Sequence, residues 1–201
     1  MNRGRVANLL VCLLLTLLLF GLGRGAAHAQ TKLTQPLHAG TIRITKAGSY
    51  FFGSNLTTPS TTFPFILVSA SNVTINLNGF SMIGPGSAGT AVGIKASLPT
   101  VTGLTIVNGT ITKIAGAALS LGGSSSVNGV QIIGNKGDGV DCTSSCLVTN
   151  NVITGNTGTG LNFSDATSGY QNNIISGNGA TVVGGTQLGV STNVCNGGTC
   201  P

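Results

Sequence analysis

The stretch Asn151-Val152-Ile153-Thr154-Gly155-Asn156 is echoed upstream by Val130-Gln131-Ile132-Ile133-Gly134-Asn135 and downstream by Asn173-Ile174-Ile175-Ser176-Gly177-Asn178. The closing Gly-Asn recurs after 21 residues and again after 22. A second apolar spot follows each copy, at Val140, Leu161 and Val183, with the same two spacings. Leu119 and Ile94 extend that series upstream, and Asn78-Gly79 and Asn108-Gly109 mark looser versions of the unit. Two interleaved series with matching period are the mark of a stacked array.

The unit reads as strand. Val73, Ile75 and Leu77 alternate with Thr74 and Asn76, a period of two, and no segment after residue 30 sustains an apolar repeat at helical spacing. One unit holds enough apolar residues for a single thin layer, so it buries its core only by stacking on its neighbours. About 22 residues at roughly 3.3 Å each, broken by tight turns, make one loop of chain around a narrow interior, with successive loops about 4.8 Å apart as parallel strands. The fold expected is all-β: a parallel β-helix of about 21–30 residues per coil. Coils are expected over residues 69–194, four or five turns, behind an N-terminal cap segment at 30–68 that gathers Tyr50, Phe51, Phe52, Phe63 and Phe65. Those aromatics read as core and cap packing, with a sugar-stacking platform as the functional alternative. Residues 195–201 form a pinned end.

Composition agrees. Of 201 residues only 6% are charged, against roughly 25% in an ordinary domain, which suits an interior too thin to hold a charge. Twenty-eight of the 32 glycines follow residue 29, where corners need positive φ. Asn135, Asn156 and Asn178, and again Asn151 and Asn173, stand at matching positions where each amide can bond the next, a structural role rather than a ligand site.

Residues 1–29 read as a secretory signal: Arg3 and Arg5, an apolar stretch from Leu9 to Phe20, and small residues at Ala27-His28-Ala29, with cleavage after Ala29. Leu9-Leu10-Val11-Cys12 has the outline of a lipid-attachment box, but Val11 is bulky and the apolar run continues past Cys12. No later run approaches the length of a membrane span. Losing Arg3, Arg5 and Arg24 lowers the net charge from +6 to +3, and the six remaining cations are scattered singly, which argues against nucleic acid. Secretion or a periplasmic location follows. Cys142, Cys146, Cys195 and Cys200 then form an even set, expected as local disulfides Cys142–Cys146 and Cys195–Cys200, each at a bend. Neither spacing is that of a zinc site, and no metal is expected.

The chain resembles the right-handed parallel β-helix repeat proteins of the pectate-lyase-like superfamily, as exported by bacteria. The carrying residues are Gly48-Ser49-Tyr50-Phe51-Phe52, Asn72-Val73-Thr74-Ile75-Asn76-Leu77-Asn78-Gly79, Leu104-Thr105-Ile106-Val107-Asn108-Gly109 and the two Asn-Asn coils at 150–156 and 172–178. The resemblance implies a single-stranded helix of right hand. It implies no single activity, since polysaccharide lyases, inverting glycosidases, epimerases, tailspikes and adhesins share the fold.

The acids set the limits on chemistry. Only Asp138, Asp141 and Asp165 are present, where a calcium-dependent lyase needs six to eight oxygen ligands. No resident cofactor is expected, calcium entering only if the chain is a lyase. Inverting hydrolysis needs two carboxyls about 6.5–9.5 Å apart, and Asp138 with Asp141 is the one pair spaced for it. Gly137-Asp138-Gly139-Val140-Asp141-Cys142 is similar to the paired-aspartate stretch of polygalacturonases, but the adjacent Asp-Asp, Gly-His-Gly and Arg-x-Lys of that family are absent, so its catalytic roles are not carried over. Asp141 maps one turn onto Asn162 and Asp138 onto Thr159, so Asp138, Asp141, Asn162 and Asp165 with Lys136 form a candidate catalytic and binding patch. His38 and Arg43 lie several turns away. Three functions are expected in descending order: a non-catalytic scaffold or carbohydrate-binding module, with polysaccharide as partner; a small lyase or glycosidase acting on acidic polysaccharide through Asp138 and Asp141; and surface association by adhesion or ice binding. Thr154, Thr157 and Thr159 do not recur at the repeat spacing, which counts against ice.

Overall fold

The structure, a computed structural model, describes residues 29–36, 40–189, 193–196 and 200. The signal segment up to residue 28, and His38, lie outside these residues. Every strand pairing is parallel, and the chain winds as a β-solenoid of about eight turns with no helix among the described residues. Each turn visits three faces. The first face holds Thr31–Leu33, Gly48–Phe52, Val73–Asn76, Leu147–Thr149, Gly169–Gln171 and Thr186–Gln187. The second holds Leu56–Thr57, Ser81–Ile83, Val152–Thr154, Ile174–Ser176 and Val194–Cys195. Thr105–Thr112 and Ser126–Ile133 run through the corner between them and join both into one 13-stranded sheet. The third face is a separate seven-stranded sheet: Ile42–Ile44, Ile66–Val68, Ile94–Ala96, Leu119–Leu121, Val140–Cys142, Thr159–Phe163 and Ala180–Val183.

The repeat read from the sequence is the pairing register. Ile132, Ile153 and Ile175 lie directly over one another, in a column that begins at Leu56, Met82 and Ile111 and ends at Cys195. Ile75, Ile106, Val127, Val148 and Tyr170 form the column of the first face, and Ile66, Ile94, Leu119, Val140 and Leu161 that of the third; all of these are buried. Among the described residues, the polar side chains buried with them are hydroxyls and amides. Three expectations need correction. There are about eight turns rather than four or five, because residues 31–68 contribute five paired strands of their own. Of the cap aromatics, Phe52 and Phe65 are core residues, whereas Phe63 is 66% exposed. The third-face series also ends at Val182, which pairs with Leu161, while Val183 points outward beside Asn162. The turn from Asn178 to Ala180 is one residue shorter than that from Asn156 to Thr159, which returns the spacing from 22 to 21.

Two corners carry amide ladders. Asn135 Nδ2 donates to Asn156 Oδ1 at 2.8 Å, and Asn156 Nδ2 to Asn178 Oδ1 at 2.8 Å. The same acceptor oxygens take the backbone N–H groups of Asn135 and Asn156, both at 3.0 Å. The second N–H of each amide goes to a main-chain carbonyl: Ile111 for Asn135, Ile132 for Asn156 and Ile153 for Asn178. Asn151, Asn173 and Asn193 repeat this at the corner between the first two faces. Buried polar groups are tolerated only when paired, and each buried amide here is paired through both its oxygen and its nitrogen.

Left-handed corners also stack. Asn108, Gly129, Asn150 and Asn172 share one column with φ between 55° and 64°. Lys113, Gly134, Gly155 and Gly177 share another, with Lys113 at φ 59°. A lysine there bears about 1–2 kcal/mol of steric cost that glycine does not, partly offset by glycine's greater freedom when unfolded. We expect Lys113→Gly to stabilise by about 0.5–1 kcal/mol, read as a higher urea midpoint at unchanged slope.

Cys142 pairs with Cys146 and Cys195 with Cys200, at Cα separations of 6.5 and 4.9 Å, within the span a disulfide bridges. Two such pairs point to an oxidising, extracellular setting. Among the described residues no helix is long and apolar enough to cross a membrane.

Candidate functional site on the third face

Side chains on a strand alternate in and out, so the residue after each core position of the third face points to solvent. The resulting outer column reads Arg43, Leu67, Lys95, Ser120, Asp141, Asn162, Val183. It gathers three of the nine charges that residues 30–201 carry. The second face, in contrast, presents Ile83, Thr112, Ile133, Thr154 and Ser176 in one column and no charged residue in any of its strands.

Beside the column, Ser97, Leu98 and Pro99 leave the third face and form a wall. The loop folds back through the N–H of Val101 to the carbonyl of Leu98 at 3.0 Å. It lies tight against the next turn because residue 122 is glycine: a Cβ at Gly122 would collide with the carbonyl of Val101. Wall and sheet enclose a groove of about 280 Å³ lined by Lys95, Ser97, Leu98, Pro99, Ser120 and Thr143, with Leu98 61% exposed at its rim. Asp141 stands one rung beyond Ser120, whose Oγ reaches its Oδ2 at 3.5 Å.

The predicted patch assembles in part. The negative charge of Asp138 acts on Asp141, and Asn162 joins Asp138, with its Nδ2 donating to Asp138 Oδ2 at 3.3 Å. Asp138 Oδ1 accepts the backbone N–H of Thr159 at 2.7 Å, so this carboxylate ties one turn to the next. Asp165 instead closes its own loop, accepting the N–H of Thr167 at 3.1 Å and its hydroxyl at 2.8 and 2.9 Å. Lys136 is exposed, and its backbone N–H bonds the carbonyl of Ile114. The hydrogen bonds of the Asp138–Asn162 pair and of the Ser120–Asp141 pair extend to neither Lys136 nor Asp165. Arg43 shares the column but stands four rungs from Asp141.

Lys95 and Ser120 were absent from the sequence-derived patch. The signal was present, since each directly follows a residue of the series Ile94, Leu119, Val140 that also places Asp141. The wall left no such mark, because loop conformation has no period to read.

Burial pushes the Asp141 carboxyl above its ordinary value, the negative charge of Asp138 adds to the rise, and the Ser120 hydroxyl opposes it. The folded chain therefore holds this proton more tightly than the unfolded one. Its contribution to stability is complete below the ordinary carboxylate value and disappears as pH rises through the elevated one. Asp141→Asn should melt close to the parent at pH 3 and above it at pH 7, measured by thermal denaturation across that range.

Calcium does not suit these residues. Asp138 is committed to Thr159 and Asn162 and Asp165 to Thr167, and among the described residues no group of three or more His, Cys, Asp or Glu could hold a metal ion. No family model, curated protein or solved structure matches the chain.

Proposed function

We propose that the chain is an exported, non-catalytic parallel β-helix protein of the pectate-lyase-like kind that serves as a carbohydrate-binding module or surface scaffold, with the third face as its binding surface. One observation carries the non-catalytic reading. Of the two aspartates spaced for hydrolysis, Asp138 uses both oxygens to hold Thr159 and Asn162, which leaves Asp141 without a free carboxylate partner. What the face offers is recognition: a cation, hydroxyls, an amide and a carboxylate on a rigid sheet. Exported status rests on the residue 1–29 signal reading and on the two cysteine pairs.

A second reading, a small hydrolase or lyase centred on Asp141, draws on the raised carboxyl, which is the condition of a general acid. Incubation with neutral and uronic-acid polysaccharides, followed by assay of reducing ends and of unsaturated products with and without calcium, separates the two. Turnover that disappears in Asp141→Asn overturns the non-catalytic reading. Binding to a polysaccharide without turnover supports it.

A further inference from the structure

The groove beside Lys95 has a direction. Lys95, an exposed cation, lines it on one rung. Ser120 occupies the next rung and Asp141 the one after, so the backbone rungs that carry positive and negative charge lie about 10 Å apart along the face at the spacing of parallel strands. The lining has two characters. Leu98 and Pro99 give an apolar wall, while the hydroxyl-bearing residues Ser97, Ser120 and Thr143 line the same space. An apolar side facing hydroxyls fits the two aspects of a sugar ring, its C–H surface and its hydroxyl edge.

We propose that this groove binds a single sugar unit bearing an anionic substituent, oriented with the anion on Lys95 and with hydroxyls toward Ser120 and Asp141. Asp141, one rung beyond Ser120 and outside the groove lining, disfavours the reverse orientation, since an anion placed on that side would approach its carboxyl with Asp138 nearby. Uronate, sulfate and phosphate substituents share this chemistry. Lys95 acts as a point charge that steers the anion, a role a lysine fills without the fixed geometry of an arginine fork. Gly122 belongs to the same device, because it admits the wall. This inference rests on the carbohydrate-binding reading and sharpens it.

The test is isothermal titration of the full chain with four probes: a xylose trimer, a galacturonate trimer, a sulfated disaccharide and glucose 6-phosphate. Lys95→Gln is compared with Lys46→Gln, an exposed cation in the N-terminal windings and outside the groove lining. The expected result is binding of one or more anionic probes and none of comparable strength to xylose. That binding should weaken about tenfold in Lys95→Gln, remain unchanged in Lys46→Gln and decline as salt is raised. Which anionic probe binds assigns the substituent. Equal binding of the neutral and anionic probes, or equal loss in both lysine variants, overturns the groove assignment while leaving the carbohydrate reading intact. No binding to any of the four overturns the groove assignment, and the carbohydrate reading is then decided separately by retention on insoluble polysaccharides. A substitution at Lys95 is not expected to disturb folding, because its side chain is exposed; matched melting curves check this.

Discussion

Asn156→Ala should lower stability by about 3 kcal/mol, among the largest effects of any single polar substitution in this chain. The amide of Asn156 is 1% exposed and makes four bonds: its oxygen accepts the N–H and Nδ2 of Asn135, and its nitrogen donates to Asn178 and to the carbonyl of Ile132. Truncation strips two Asn135 donors of their acceptor and removes one bond each from Asn178 Oδ1 and the Ile132 carbonyl, in a space that excludes most water, and each unpaired buried group costs about 1–3 kcal/mol. Partial relaxation and water entry reduce the sum, hence the estimate. Asn156→Asp should be at least as damaging, since a carboxylate retains the acceptor role but has no hydrogens for Asn178 or Ile132. Asn172→Ala is the control. Asn172 sits at an exposed corner with φ 55°, and its loss should cost well under half as much. Urea denaturation of the three variants decides the matter; equal costs for Asn156 and Asn172 would mean that the buried ladder adds nothing beyond ordinary corner chemistry.

Ile153→Ala carries the second large effect, about 3–4 kcal/mol. Ile153 is fully buried between Ile132 and Ile175, and its Cγ2 fills the space beside Gly139, where an added Cβ would lie 2.7 Å away. In a globular core the surrounding side chains could move inward. Here the stacked rungs are fixed by main-chain bonds on every face, so the cavity stays open. The effect should also spread unevenly: hydrogen exchange should rise most in the coils holding Ile132 and Ile175 and least near Ile44, because a stack couples each turn mainly to its neighbours. A uniform loss of protection along the chain would show instead that the solenoid unfolds as one unit.

The architecture was legible because its rule is local and repeated. Gly134-Asn135, Gly155-Asn156 and Gly177-Asn178 combine a left-handed corner with a laddered amide, and both roles depend on residue type alone. The core register followed from Ile132, Ile153 and Ile175 by counting. Counting failed where a turn changed length. The step from Asn178 to Ala180 moved the inward position from Val183 to Val182, and an apolar residue stands at both, so composition could not arbitrate. The N-terminal windings escaped notice for a related reason. Phe52 and Phe65 pack in the same interior as the later isoleucines, but irregular turn lengths between them hide the period. The candidate site was half legible. Asp138, Asp141 and Asn162 were placed together by arithmetic that would equally have placed Lys95 and Ser120. The wall of Ser97 to Pro99 depends on a backbone approach at Gly122, which no spacing announces.

The amide ladders bear on how such a chain lengthens. Along each ladder a carboxamide hands a hydrogen to the amide oxygen of the following turn, Asn135 to Asn156 to Asn178 and Asn151 to Asn173 to Asn193, so the interior link is the same at each of these steps. The segment 147–168 enters and leaves the stack at equivalent points on all three faces and carries one amide of each ladder, Asn151 and Asn156. A gene duplication or deletion of this segment rejoins both ladders without leaving an orphaned amide. Molecular length is thereby uncoupled from cross-section, and descendants of this sequence can grow or shrink by whole windings while the groove near Lys95 keeps its shape.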